Sequence, residues 1–349
     1  MLIYSDPHLG LMLGSNTTQE SRRRLRDYIR QHTFEIVESA QPGRSVICSG
    51  DFFDKYQNPE EVLLSSLPIA ERTHAILAGN HDVVNIKDRS GSLDVVSAVV
   101  RNVYGTPFGM CNSTIFHTTC RNTLYLVPHH STQELFESAL SEALSHAESG
   151  NGIGLKILVT HCNYDNELMQ DKVALNLPKR IAAHLLKAFD FIVLGHEHAH
   201  RTDLNDRVIV VGSPHPVGFG DMGDKFVLTF GEDGPELHDV WSVNRNFLEV
   251  DYRAALDKVK DHHQFIRLTG QVQPAQLHEL SGVIKDIWKQ FSPFAVKSEV
   301  EVITGNAERT RFQAMSPDRL QAIIAAELES VPDQLALWKE ITRDQVADA

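Results

Sequence analysis

The feature of this sequence that most constrains its fold is a repeated pattern in which a short apolar run ends at an acidic, amide or imidazole side chain. The run 74–78 leads into Gly79-Asn80-His81-Asp82. Alone, such a tetrapeptide favours an ordinary turn, because Asn and Asp hydrogen-bond their own backbone. The pattern recurs after four other apolar runs: Asp6-Pro7-His8 follows 2–5, Gly50-Asp51 follows 45–49, His161 follows 155–160, and His196-Glu197-His198 follows 191–194. Since open α/β sheets bind ligands at the carboxyl ends of their strands, the repetition predicts an α/β fold with a functional site at one sheet edge.

The composition is that of an ordinary globular protein. Of 349 residues, 42% are hydrophobic and 23% are charged, which disfavours the disordered and membrane classes. No apolar run is long enough to cross a bilayer, and Met1 leads directly into an apolar strand, so we expect a cytoplasmic protein without a membrane partner. The net charge of −13 opposes non-specific binding to nucleic acid. A role on nucleic acid would therefore depend on a local site, on metal ions or on a partner.

Histidine is unusually frequent, with 18 residues, whereas the four cysteines have no C-x-x-C spacing. The excess of imidazoles directs attention to metal binding. Seven side chains at strand ends are candidate ligands: Asp6, His8, Asp51, Asn80, His161, His196 and His198. This mixture of nitrogen and oxygen donors suits first-row divalent ions such as Mn, Fe or Zn better than Ca or Mg.

Seven ligands exceed the needs of one ion. With one carboxylate shared they divide into two sites of four, the arrangement used in two-metal phosphoryl chemistry. His81 follows the candidate ligand Asn80 and is placed to orient a phosphate or to protonate a leaving oxygen. The other histidines are assigned to the core or the surface, with His200 and His215 nearest the site in sequence.

The character of the chain changes at about residue 241. The strand-end pattern stops there, and strand 265–269, a helix from Pro274 to Phe291 and strand 296–303 predict a small β-α-β unit. Two amphipathic helices are predicted at 317–328 and 332–346, and their apolar faces must pack either on the rest of the chain or on a helical partner. We therefore expect domains at 1–241 and 242–315, followed by a helical tail at 316–349.

In order along the chain, these motifs resemble those of the calcineurin-like metallophosphoesterases. The matching motifs are Asp6-x-His8, Gly50-Asp51-x-x-Asp54, Gly79-Asn80-His81-Asp82, His161 and Gly195-His196-x-His198. Within that superfamily, Leu9-Gly10 after the first motif and the later Gly212-Ser213-Pro214 are similar to the SbcD-type nuclease subunits of DNA double-strand-break repair. The resemblance covers about residues 1–240 by sequence and the rest of the chain by architecture. Two departures are Pro7, in place of a polar or small residue, and the extra His200.

The resemblance implies a four-layer α/β/β/α metallophosphoesterase sandwich with a small α+β capping domain. It implies two divalent metal ions, usually manganese, with Asp51 common to both. One ion would be held by Asp6, His8, Asp51 and His198, and the other by Asp51, Asn80, His161 and His196. Asp54 and Asp82 join His81 in the catalytic set, with Asp82 expected to orient its neighbours. DNA as substrate, a homodimer, and docking of the tail on an SbcC-type coiled-coil ATPase are also implied.

Three functions are compatible with these observations. The first is a metal-dependent DNA exonuclease and endonuclease. The second is a calcineurin-like phosphodiesterase or phosphatase acting on a small nucleotide or a phosphoprotein, which would have little use for the segment after residue 241. The third is a non-catalytic interaction module, which loss of ligands would indicate, and no ligand is lost here.

Overall fold

The computed structural model describes residues 1–11, 19–83, 91–101, 109–111, 114–118, 122–150, 154–166, 175–231 and 234–303. The predicted tail at 316–349 lies outside the described residues. Within them, no helix is both long enough and apolar enough to span a membrane.

The elements alternate between strands and helices as the apolar runs predict. Up to residue 166 they are β1 (Leu2–Tyr4), α1 (Gln19–Glu38), β2 (Val46–Cys48), α2 (Glu60–Arg72), β3 (Ala75–Leu77), α3 (Ser92–Val99), β4 (Gly109–Cys111), β5 (Ile115–Thr118), β6 (Asn122–Val127), α4 (Gln133–Glu148), β7 (Leu155–His161) and β8 (Asn163–Tyr164). From 175 to 241 they are β9 (Asn176–Leu177), α5 (Lys179–Leu185), β10 (Phe191–Gly195), β11 (Arg201–Asp203), β12 (Val208–Val210), β13 (Lys225–Phe230) and β14 (Pro235–Trp241).

Two six-stranded sheets form the centre of the molecule. The first has the order β14-β13-β1-β2-β3-β4 and the second the order β11-β12-β10-β7-β6-β5. In the first sheet β1 to β4 are parallel, β13 pairs antiparallel with β1, and β14 pairs antiparallel with β13. In the second, β6, β7, β10 and β12 are parallel, with antiparallel β5 and β11 at the edges. The parallel strands therefore bring their carboxyl ends to common edges.

The sheets stack face to face, and helices cover both outer faces. Successive residues of a strand point to opposite faces, so Leu2 and Tyr4 of β1 pack with helix residues such as Leu25, whereas Ile3 packs between the sheets. In the second sheet, β10 likewise contributes Val193 to the layer between the sheets. Its outer face is covered by α4 and α5. This is the α/β/β/α sandwich that the resemblance implies, and the predicted fold class is confirmed.

A smaller α/β unit follows the sandwich. Its elements are α6 (Val243–Asn246), β15 (Phe247–Asp251), α7 (Ala255–Lys258), β16 (Phe265–Thr269), β17 (Gln271–Val272), α8 (Leu277–Phe291), β18 (Ala295–Ser298) and β19 (Glu301–Val302), with 3-10 turns at Tyr252–Ala254 and Pro274–Gln276. Strands β15, β16 and β18 form a parallel sheet, and β17 pairs with β19. The single strand expected at 296–303 is thus two strands in different sheets, because the chain that they pair with bends at Gly270, where φ is +116°.

The unit has its own apolar cluster and also packs on the sandwich. Ile266, Leu268 and Ile287 lie in the internal cluster. Phe265 and Phe294 instead join the core of α1 and the first sheet. The Phe294 ring lies 5.0 Å from that of Tyr28 in α1. The domain boundaries at 241 and 315 remain predictions.

Candidate metal centre

The predicted site residues follow five parallel strands, three from one sheet and two from the other. Four of them have positive φ although they are not glycine: Asp6 (50°), His8 (43°), Asp51 (46°) and His196 (89°). Such a conformation costs about 1–3 kcal/mol for each residue and clusters at functional sites. The fold therefore maintains a costly backbone conformation at these strand ends, and this conformation sets the direction of the side chains.

The first group of candidate ligands consists of Asp6, His8 and His198, whose donor atoms lie within 4.8 Å of one another. The Nε2 atoms of His8 and His198 are 3.1 Å apart. Asp6 is fully buried, accepts a hydrogen bond from Ser5 Oγ, and accepts the main-chain N–H of His196 at 3.1 Å. Asp6 thus also connects the end of β1 to the end of β10.

The second group consists of Asp51, His161 and His196, with Asn80 between the two imidazoles. Oδ1 of Asn80 lies 3.1 Å from Nε2 of His161 and 2.8 Å from Nδ1 of His196. Nδ1 of His161 donates to the carbonyl of Ser49 at 2.9 Å. In the neutral ring this bond leaves the lone pair on Nε2, which is the tautomer that a metal requires there.

Asp51 belongs to the second group and also approaches His8 of the first. Its Oδ2 lies 3.3 Å from Nε2 of His161 and 3.9 Å from Nε2 of His8. Donor atoms within 4.8 Å of one another fit around a first-row ion whose bonds to nitrogen and oxygen are about 2.0–2.2 Å long. The nitrogen and oxygen donors, the fixed tautomer of His161 and the shared carboxylate all fit two divalent ions. All seven predicted ligands are brought together.

His81 is the exposed member of the site. Its Nδ1 donates to the carbonyl of Asp54 at 2.6 Å, and its main-chain N–H donates to Oδ1 of Asp51 at 2.9 Å. Its ring lies edge-on to that of His8, with 5.0 Å between centroids. The ring is therefore held beside the ligands with Nε2 available, although its donors also lie within 4.8 Å of those of His8 and Asp51.

Asp82 and Asp54 support the site through different contacts. Buried Asp82 accepts the main-chain N–H groups of Phe52, Phe53 and Gly79 at 3.0–3.1 Å, and so joins the turns after β2 and β3. Oδ1 of Asp54 lies 3.6 Å from Nδ1 of His8. Asp82 therefore holds the main chain of the two turns, and Asp54 lies beside the ring of a candidate ligand.

The imidazoles differ in protonation. Burial lowers the pKa of His161, but Asp51 and Asp6 outweigh burial and raise it to about 9. Burial and the neighbouring His161 lower the pKa of His196 to about 4, and burial and His8 lower that of His198 to about 3. The two carboxylates therefore favour protonation of His161, whereas burial favours the neutral rings of His196 and His198 that a metal ion requires.

One histidine near the site was missed by the sequence analysis. Half-buried His129 follows β6 and donates its main-chain N–H to the carbonyl of Ala78 at 2.9 Å. Its ring centroid is 6.4 Å from that of His161. The pattern of a polar side chain after an apolar strand, applied to β6, would have identified it. Nδ1 of His200 instead donates to the carbonyl of Val210 at 2.7 Å, so this ring has a structural partner.

Fold and site together are those of an α/β/β/α sandwich with candidate metal ligands at the carboxyl ends of its parallel strands. The model of the calcineurin-like phosphoesterase family matches residues 1–200. The chain belongs to this family.

Several solved structures are also similar. One is a 5′-nucleotidase precursor from Thermus thermophilus, with 13% identity over 68% of this chain and a TM-score of 0.35. The chain covers 52% of that protein, about half its length. A protein of unknown function from Aquifex aeolicus has 14% identity over 46% of this chain and 79% of its own, with a TM-score of 0.25. Zinc-bound Vps29 from Entamoeba histolytica has 11% identity over 69% of this chain and 98% of its own, also with a TM-score of 0.25. No curated protein sequence matches the chain.

Proposed function

We propose that this protein is a two-metal-dependent DNA nuclease that hydrolyses phosphodiesters at DNA ends, as an exonuclease and endonuclease, in repair or recombination. The observation that carries the proposal is the pair of ligand groups with Asp51 between them, 3.3 Å from His161 and 3.9 Å from His8, and with His81 exposed beside them. Two bound cations, which we propose to be Mn²⁺, supply charge neutralisation for a phosphodiester and a water activated for attack.

The side chains that do not bind metal have separate roles in hydrolysis. His81 is fixed by its Nδ1 bond to the Asp54 carbonyl, so Nε2 is the atom that meets the substrate. There it hydrogen-bonds a phosphate oxygen or passes a proton to the leaving sugar oxygen. Asp54 and Asp82 act as positioning residues, because Asp54 approaches the ligand His8 and Asp82 binds the main chain beside Asp51 and Asn80.

DNA as the substrate is supported by the unit after the sandwich, which we propose to be a DNA-capping domain at 242–315. Arg267 on β16 donates to the carbonyl of Phe219 at 2.6 Å, in a loop that also reaches His198 through Ser213. The unit is therefore joined to the loop beside the site. A hydrolase of small nucleotides has little use for such an addition.

The charge of the chain supports dependence on partners. A net charge of −13 repels DNA at long range. We propose that a homodimer, the two metal ions and an SbcC-type coiled-coil ATPase bound to the tail at 316–349 together provide productive DNA binding.

The test compares two substrates under one set of conditions. The full chain is incubated with Mn²⁺ and either linear duplex DNA or bis-p-nitrophenyl phosphate, with and without a chelator. We expect chelator-sensitive hydrolysis of both, with degradation of the duplex from its ends. Hydrolysis of the small ester with no DNA degradation would favour the phosphodiesterase or phosphatase alternative, and no hydrolysis of either would favour the interaction module.

A further inference from the structure

A buried lysine lies directly behind one of the candidate ligands. Lys225, on β13, is 1% exposed, which is rare for lysine unless the ammonium is paired. Its Nζ donates to the carbonyl oxygen of His198 at 3.0 Å and forms an ion pair with Asp221. The positive charge is therefore directed at the main chain of a ligand and at one carboxylate.

The Asp221 carboxylate extends this contact into the loop 212–221. Its second oxygen, Oδ2, accepts Ser213 Oγ and the main-chain N–H of Val217, both at 3.2 Å. Ser213 in turn donates its main-chain N–H to the carbonyl of His198 at 3.1 Å. Two donors, Lys225 Nζ and Ser213 N–H, thus converge on that one carbonyl oxygen.

The approach of the loop to His198 is close enough to require glycine. At Gly212, where φ is +83°, an added Cβ would lie 2.9 Å from the His198 carbonyl oxygen. The far side of the loop is held as well, since the Phe219 carbonyl accepts Arg267 and the Phe219 ring lies 6.0 Å from that of Phe265. The loop is therefore braced between the small α/β unit and the His198 main chain.

We propose that Lys225 and Asp221 are positioning residues that hold His198 in the direction needed to bind one of the two ions. The inference rests on the proposed metal site and adds to it residues that do not themselves ligate. A histidine ligand is oriented by its supporting contacts, and loss of such contacts typically costs about 10–100-fold in metal affinity. The effect belongs to the ion held by Asp6, His8 and His198.

The experiment measures Mn²⁺ binding to the full chain by calorimetry, after chelation and without substrate. We expect each of the variants Asp221→Asn and Lys225→Met to lower the affinity for one of the two ions by about 10–100-fold. The affinity for the other ion should be unchanged. The matched control is Lys156→Met, because Nζ of Lys156 also donates to a main-chain carbonyl, that of Ala147 at 2.5 Å, away from the ligands. It is expected to bind both ions as the wild type does.

The double variant Asp221→Asn/Lys225→Met separates positioning from stability. Removing one partner of a buried pair destabilises a fold, whereas removing both is far less costly. We expect the melting temperature of the metal-free double variant to recover toward wild type while its affinity for the one ion stays low. Recovery of both quantities would overturn the inference, as would unchanged affinities in the single variants. A wild-type chain that binds no Mn²⁺ would overturn the proposed function as well.

Discussion

His81 presents its two ring nitrogens to different surroundings. Nδ1 is engaged with Asp54, so only Nε2 serves the substrate. We expect His81→Asn to lower kcat on bis-p-nitrophenyl phosphate by about 10²–10⁴-fold. Metal affinity should be unchanged, because residue 81 keeps the main-chain N–H that binds Asp51. Kinetics and Mn²⁺ isotherms of the same preparation check this. Full turnover would exclude the role, and loss of one ion would make His81 a ligand.

Gly50 shows how tightly the site is built. Its φ is +121°, and an added Cβ would lie 2.0 Å from Nδ1 of His161. Gly150 also has positive φ, +81°, but has nothing within 4 Å of an added Cβ. Both glycines thus have positive φ, but of the two it is Gly50 at which an added Cβ would also meet a neighbouring side chain.

We predict that Gly150→Ala lowers the free energy of unfolding by about 1–2 kcal/mol. Gly50→Ala should lose about 1–3 kcal/mol more from overpacking and should also weaken the ion held by His161. Urea unfolding of the metal-free variants and Mn²⁺ isotherms measure both effects. Equal losses of stability with unchanged metal affinity would contradict the predicted crowding.

His215 makes stability depend on pH. It is 1% exposed, and burial followed by the neighbouring His32 lowers its pKa well below the usual 6.5. Below pH 6.5 the unfolded chain therefore binds a proton at His215, whereas the folded chain does not. The stability contributed by neutral His215 is present above pH 6.5 and is lost as pH falls below it, by up to about 1.4 kcal/mol per pH unit.

In the variant His215→Phe, the slope of the unfolding free energy against pH should decrease below pH 6.5 by the contribution of one proton. Exposed His278, whose Nδ1 donates to the carbonyl of Ala275, provides the control variant His278→Phe. Denaturant unfolding of the metal-free protein at several pH values gives the slopes. The same slope in both variants would mean that His215 does not carry the effect.

Strands β16 and β18 join two cores. Phe265, at the start of β16, is fully buried and packs with Trp241 and Phe294 at ring distances of 6.2 and 6.1 Å. Phe136, on α4, is equally buried but packs under the second sheet. The first phenylalanine connects the small α/β unit to the sandwich, and the second lies within the sandwich.

Phe265→Ala and Phe136→Ala should each cost about 3–5 kcal/mol, with different unfolding profiles. Loss of Phe265 should uncouple the small unit, so that calorimetry shows a separate transition at lower temperature. Loss of Phe136 should lower the main transition without splitting it. A single shifted transition in both variants would show that other contacts keep the unit and the sandwich cooperative.

The strands that end at the site could be predicted because parallel strands buried on both faces are continuous apolar runs. The seven ligands follow from the polar residue that ends each run. Elements with weaker patterns were not predicted. Strand β15 is half-exposed and finds its partner β16 only after an intervening helical turn. The break between β18 and β19 depends on the bend at Gly270, which their own sequence does not contain.

Contacts between distant residues were the other limit. Asp82 was expected to orient its neighbours, but its acceptance of the Phe52 and Phe53 N–H groups depends on how two turns meet. The Lys225 contact with His198 likewise requires β13 to lie beside the loop after β10. His129 was not predicted as a site residue, because Pro128 before it ends the strand and indicates a turn. Sequence periodicity contains none of these distances.

The metal centre connects the two halves of the sandwich. Asp6, His8, Asp51 and Asn80 follow strands of the first sheet, whereas His161, His196 and His198 belong to the second. Each candidate ion therefore draws ligands from both sheets. Ions that bind only the folded chain stabilise it as a whole, by about 2.7 kcal/mol for each site at a concentration 100 times its Kd.

Thermal unfolding against Mn²⁺ concentration tests this arrangement. The melting temperature of the wild type should rise in two steps as the Mn²⁺ concentration increases, one step for each ion. Because Asp51 contacts both ligand groups, Asp51→Asn should lose most of both steps. His198→Gln should lose only one, because His198 belongs to the first group alone. Equal losses in the two variants would mean that Asp51 serves a single ion, and the shared carboxylate on which the two-metal proposal depends would have to be abandoned.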